Sequence, residues 1–299
     1  MLQKLEDLRT LLGKRKKVTC AVAAAHDGHT LQAILTMRNE GMMDCLLIGH
    51  ADEIRRIAAE ESFVVSDEEI IDCATDEEAA AMAVWLVREG KAGFILKGLL
   101  PTGTLLKAVV NKQTGLNMGN VISHFLLLEL PGYHKLLAVT DSGMIPAPDL
   151  ETKKSILRNA VSALETLNVH HPLFAALCAA ETVSPKIQET VDAAALKEAS
   201  LAGELGDCFV EGPISFDLTM NPESARIKKF ESPVVGNADG LLVPGLAAGN
   251  IMVKSLIQFA GAKMAGCILG AKCPIALISR SASFEEKYDS LVLCALISK

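Results

Sequence analysis

Short apolar runs alternate with stretches of helical periodicity along almost the whole chain, and this alternation restricts the available folds more than any other feature. Residues 18–25, 45–48, 63–65 and 93–97 are runs of strand length. Between them, 27–39, 52–61 and 76–89 carry apolar residues at helical spacing, with Asp27 placed to cap the first and Gly41 to close it. A leucine-rich helix ending near Gly13 precedes this block, and a helix opened by residues 98–104 and reaching about Asn111 ends it. Such repeats predict βαβ units and a mostly parallel sheet covered on both faces.

Residues 121–130 and 135–140 then follow one another with only Pro131, Gly132, Tyr133 and His134 between them. An antiparallel pair is expected there, and with it a change of domain near Thr140. The alternation resumes with a helix over 149–167, a strand over 172–180, a helix over 185–202, a strand over 208–210, a loop over 211–217, a short helix over 222–229 and a strand over 240–243. The last helix, from Ser283 to about Ile297, is expected to pack back on the first domain. The reading is an α/β protein of two three-layer α/β domains with mostly parallel sheets and an active-site cleft between them. The first domain takes residues 1–139 with 268–299, and the second takes 140–267. At 299 residues, half of them hydrophobic and 4 % aromatic, the chain is long enough for two such cores.

A formal net charge of −7 speaks against a general nucleic-acid surface. The eight cysteines are scattered, form no CxxC pair and sit mostly in apolar runs, which fits a reducing cytoplasm and neither a disulfide framework nor a zinc site. The charged N-terminus lacks the apolar stretch of a signal peptide, and no run approaches the ~18 residues of a membrane span.

Two strand-to-helix junctions stand out as sites for chemistry. Residues 240–243 lead through Pro244 to Gly249 and Asn250, and residues 274–278 lead to Ser279, Arg280, Ser281 and Ser283. Helix-start amides point outward without partners and carry a partial positive charge, so anions bind there. The pair reads as an anion-binding active site. Arg280 offers a permanently charged fork for a phosphate, or else a structural ion pair. Ser283 and Glu286 form an S-x-x-E capping box, a role that competes with general-base duty for Glu286. Asn250 and Lys254 share one helix face, which meets either solvent or an anion. Ser123 and His124 interrupt an apolar strand, either facing the same cleft or as a satisfied buried pair. His26 and His29 read as turn residues or, alternatively, a metal pair. GxGxxG, GxxxxGK[ST] and HExxH are all absent.

At these residues the chain resembles the phosphate acetyltransferase/phosphate butyryltransferase family, most closely the butyryltransferase branch. The likeness runs through Lys97-Gly98-Leu99, Ser123-His124, Val139-Thr140-Asp141, Glu211-Gly212-Pro213, Asp239, Ala248-Gly249-Asn250-Ile251, Lys254-Ser255 and Ser279-Arg280. It implies reversible acyl transfer between coenzyme A and inorganic phosphate, with coenzyme A as substrate, no bound cofactor and no metal. It also implies two α/β domains and a homo-oligomer, usually a dimer, in the cytoplasm. The site residues it carries over are Ser279, Arg280 and Glu286 as catalytic. Gly249, Asn250, Lys254, Ser123 and Asp141, together with Ser281 and Ser283 of the second junction, are read as substrate- or phosphate-binding. The acid is Glu286 where the acetyltransferase branch has Asp, and Ala282 stands where the butyryltransferase branch commonly has Asp. Alternatives are a phosphate acetyltransferase and a catalytically silent coenzyme A-binding regulatory domain. A dehydrogenase of the isocitrate/isopropylmalate type would need a cluster of metal-binding aspartates, which the sequence does not offer.

Overall fold

The computed structural model describes residues 2–279 and 282–298. In chain order its elements begin α1 (Leu5–Leu12), β1 (Thr19–Ala23), α2 (Gly28–Asn39), β2 (Asp44–Gly49), α3 (Ala51–Glu60), β3 (Ile70–Asp72), α4 (Asp76–Arg88), β4 (Phe94–Lys97) and α5 (Thr102–Val109). There follow β5 (Ser123–Glu129), β6 (Leu137–Thr140), α6 (Leu150–Thr166), β7 (Leu173–Leu177), α7 (Gln188–Leu201), β8 (Phe209–Ile214), α8 (Phe216–Met220), α9 (Pro222–Lys228) and β9 (Gly240–Leu242). The chain ends with α10 (Leu246–Ala260), β10 (Lys263–Leu269), β11 (Ile275–Ala276) and α11 (Phe284–Ile297).

Two compact units divide the chain, one of Leu5–Asn120 with Ala265–Lys299 and the other of Met1–Lys4 with Val121–Met264. In the first unit the strands run in the order β3-β2-β1-β4-β11-β10, parallel throughout except for the antiparallel β10–β11 contact. β1 lies between β2 and β4 with every residue from Cys20 on buried, which is why its sequence is continuously apolar instead of alternating. α2 is capped by Asp27, whose carboxylate accepts from the Thr30 amide at 3.0 Å. α11 is buried at every position from 287 to 297, and it packs against α1 and α2. Arg9 anchors it by an ion pair to Asp289 at 2.7 Å, and the Tyr288 hydroxyl donates to Glu40. α11 thus lies in the same unit as α1 and α2.

The second unit orders its strands β5-β6-β9-β7-β8, with β5 antiparallel to β6 and the rest parallel. Its core gathers Leu126, Val139, Leu241 and Ile214 from one face of that sheet, with Leu218 and Val253 from the helices. The divisions at 120/121 and 264/265 differ from those expected at 139/140 and 267/268. β6 pairs with β9 through Ala138–Gly240, Val139–Leu241 and Thr140–Leu242, so the hairpin belongs to the second unit.

Three local expectations also differ. Residues 63–65 form no strand, because Val64 is 85 % exposed and its carbonyl is held by the Arg38 guanidinium at 2.7 Å. The strand that pairs with β2 there is β3. Residues 211–214, expected as loop, extend β8. Finally, β10 occupies an apolar stretch from Met264 to Leu269 that the sequence reading passed over.

Candidate functional site

In each unit, polar residues collect where parallel strands end and helices begin. In the second unit the locus is built around Asp141, just beyond β6. Its carboxylate is 2 % exposed and accepts three backbone hydrogen bonds. The amides of Gly143 and Met144 donate to Oδ1 at 2.8 Å each, and the amide of His124 donates to Oδ2 at 3.0 Å. Asp141 thus ties the 141–144 loop to the start of β5. The His124 ring lies against this loop, with Nδ1 and Ser142 Oγ 3.2 Å apart, and burial pushes its pKa below the ordinary histidine value against the opposing charge of Asp141. Asp141 binds the backbone of His124, not its ring, so these residues do not form a Ser-His-Asp relay.

Ser123 is buried and accepts from Asn159 Nδ2 at 2.9 Å, an amide that also donates to the Val121 carbonyl at 2.8 Å. That is the satisfied buried group which the sequence left open as an alternative. Gly249 and Asn250 lie a full turn inside α10, whose first residue is Leu246, and not at its mouth as expected. The glycine is needed because a Cβ there would come within 2.6 Å of Val243 Cγ2 and 3.0 Å of Ser142 Cα. α10 therefore rests directly on the 141–144 loop, and Asn250 Nδ2 reaches the Ser142 carbonyl at 3.4 Å. Lys254, one turn on, is exposed.

In the first unit a cavity of about 160 Å³ lies beyond the C-terminal ends of β1, β4 and β11. Asp27, Thr30, Lys97, Ser279 and Lys287 are among its lining residues. Lys97 ends β4 with 9 % exposure, its Nζ donating to the carbonyls of Gly98 and Leu100 at 3.0 Å each. Gly98 has no room for a side chain, since a Cβ would sit 2.1 Å from the Ala24 carbonyl oxygen. Lys287, in the first turn of α11, is 7 % exposed and donates to the Ala282 carbonyl at 2.8 Å. Arg280 and Ser281 lie outside the described residues.

The capping box at α11 is present in full. Ser283 Oγ accepts from the Glu286 amide, and the Ser283 amide donates to Glu286 Oε2, both at 3.1 Å. Glu286→Gln keeps both bonds and is expected to leave stability and turnover near normal, whereas Glu286→Ala should cost ~1 kcal/mol of stability. Urea unfolding together with a turnover assay decides this, and a folded but inactive Gln variant would return Glu286 to the role of base. Among the described residues no set of three His, Cys, Asp or Glu side chains is placed to hold a metal ion, and the His26 ring pairs with His50 at 5.0 Å. Sequence reasoning did not single out Lys97 or Lys287 as site residues. The available signals were a lysine ending an apolar strand and a lysine in the first turn of a helix, where the dipole disfavours it.

The family described as "Phosphate acetyl/butaryl transferase" matches residues 76–295. A probable phosphate butyryltransferase of Bacillus subtilis (strain 168) is 41 % identical over 295 residues, covering 98 % of each chain. A phosphate acetyltransferase of Thermotoga maritima is 36 % identical over 286 residues, covering 96 % of each. The crystal structure of a branched-chain phosphotransacylase from Enterococcus faecalis V583 superposes with a TM-score of 0.81 at 31 % identity, covering 94 % of this chain and 98 % of that one. The cavity and the loop tied by Asp141 are thus built by a member of the phosphate acetyl/butyryl transferase family, to which this chain belongs.

Proposed function

We propose that this chain is a phosphate acyltransferase that moves a short-chain acyl group, butyryl or similar, reversibly between coenzyme A and inorganic phosphate. The observation that carries the reading is the small cavity at the strand ends of the first unit, where two buried ammonium groups and Ser279 meet in a chain of this family. In the direction of thioester formation, the coenzyme A thiolate attacks the carbonyl carbon of the acyl phosphate. A C–S bond forms, the C–O bond to phosphorus breaks, and phosphate leaves with the bonding pair; the thiol proton passes to solvent or to the departing phosphate.

Magnitudes rank the contributions. A thiol of pKa near 8.5 costs roughly 2 kcal/mol to ionise at neutral pH. A lost oxyanion donor costs about 3–4 kcal/mol. Alignment of two bound reactants is worth roughly 7–11 kcal/mol. Anion contacts by Ser279 and Arg280, with Ser281 as a further polar partner, therefore outweigh a dedicated base. This reading suits Glu286 as a helix cap.

Coenzyme A enters as a substrate, and the reaction needs no resident cofactor or metal. Eight buried, unpaired thiols suit a cytoplasmic setting, and among the described residues no helix is long and apolar enough to cross a membrane. A homo-oligomer is part of the proposal, supported by α10, an apolar helix that leaves Ile251 67 % and Phe259 91 % exposed. Phe259→Glu is expected to reduce the mass measured by light scattering, and a monomeric unmutated protein would remove this part.

The deciding experiment is a panel of acyl-CoAs of two to six carbons, with coenzyme A release followed by Ellman's reagent with and without phosphate. The expected outcome is phosphate-dependent release that peaks at four carbons. No phosphate dependence with any member would end the proposal.

A further inference from the structure

We infer that Lys287 and Lys97 are phosphate-binding residues, which hold the phosphoryl dianion of inorganic phosphate or of an acyl phosphate against Ser279 in the first unit's cavity. This rests on the acyltransferase reading and assigns its phosphate to two side chains outside the Ser-Arg pair.

The placement of Lys287 makes the case. A cation in the first turn of a helix stands at the positive end of the dipole, where an acidic residue is favoured. This one is also 7 % exposed. No carboxylate among the described residues lies within ion-pair distance of it, and its acceptor is the neutral carbonyl of Ala282. An ammonium has three protons to donate, and burial without an anion costs free energy that a carbonyl does not return. Its neighbours Glu285 and Glu286 do not supply the charge, as Glu286 faces the Ser283 amide and Glu285 is exposed. A bound dianion would balance both the buried charge and the dipole.

Lys97 adds a second cation to the same wall, oriented by the carbonyls of Gly98 and Leu100. The carboxylate lining the cavity is Asp27, and it is committed locally, accepting from both the amide and the hydroxyl of Thr30. The N-terminal turns of α2 and α11 both contribute to the lining, through Thr30 and Lys287, and add their partial positive charge. Volume selects the ligand. About 160 Å³ accommodates a tetrahedral oxyanion, whereas pockets for molecules of drug or nucleotide size run to about 300–1,000 Å³. The phosphate that exchanges with coenzyme A and a phosphate of coenzyme A itself are separated by the KM measurement below.

Two measurements test this. In the first, lysines of the unmutated protein are labelled by reductive methylation and read by mass spectrometry, with and without inorganic phosphate. Phosphate at ten times its Kd should slow labelling of Lys287 and Lys97 about tenfold while the exposed Lys112 is unaffected. Unprotected Lys287 would overturn the assignment. In the second, Lys287→Met, which keeps most of the side-chain stem, should raise KM for phosphate at least ~10-fold and leave KM for acyl-CoA unchanged. A rise in KM for acyl-CoA, alone or equal to that for phosphate, or no change in either, would also overturn it. The labelling needs no mutant to fold and no turnover. Protection of Lys287 in a protein that lacks phosphate-dependent acyl transfer would therefore count against the acyltransferase reading while the anion site stands.

Discussion

Asp141→Ala is expected to destabilise the protein by about 3–4 kcal/mol, lowering its thermal midpoint by roughly 10 °C. The carboxylate is 2 % exposed and is the acceptor for the amides of His124, Gly143 and Met144. Truncation leaves these three donors without their acceptor, and each unmade bond to a charged group costs about 1.5–3 kcal/mol before the loop relaxes. Asp141→Asn separates charge from connectivity. Its carbonyl can still accept from Gly143 and Met144, but its NH₂ would then face the N–H of His124, so an intermediate loss is expected. Urea unfolding of the three proteins checks the order. An Ala variant as stable as the unmutated protein would show that the loop does not depend on this residue. Activity should fall together with stability, because the same loop presents the carbonyl of Ser142 to Asn250 and the hydroxyl of Ser142 to His124.

The sequence suggested a substrate-binding role for Asp141, and the reason it could not suggest the clamp is distance along the chain. His124 is 17 residues away, and its amide reaches Asp141 only because β5 and β6 pair antiparallel. Features that depend on three or four residues were legible: the Asp27 cap, the Ser283–Glu286 box and the alternation of apolar runs that sets the parallel sheets. Features that depend on which strand lies beside which were not. The hairpin went to the wrong side of the division because its partner β9 lies a hundred residues downstream. β10 was missed because it follows an unusually apolar helix with only Gly261 and Ala262 between them. Lys97 and Lys287 were not singled out as site residues, since their burial arises when β11 and α11 return to β4 and α2.

Arg280→Ala is expected to lower kcat/KM by about 10²–10³, the cost of one lost anion-stabilising donor, while the fold survives. Arg280 lies outside the described residues, so the expectation comes from its chemistry and from Ser279 beside it on the cavity wall. As the C–O bond to phosphorus breaks, negative charge grows on the oxygen that is leaving the carbonyl. A guanidinium fork that meets two phosphate oxygens follows that change with two donors at once, whereas an ammonium acts as a point charge. Arg280 should therefore act mainly on kcat, and Lys287→Met mainly on KM for phosphate, because contacts equally strong before and during reaction do not speed the chemical step. Arg280→Lys, which keeps the charge and loses the fork, should fall between alanine and the unmutated protein. Ellman's assay at varied phosphate measures the split. Near-normal turnover for Arg280→Ala would exclude this role, and a loss confined to KM would make Arg280 a binding residue like Lys287.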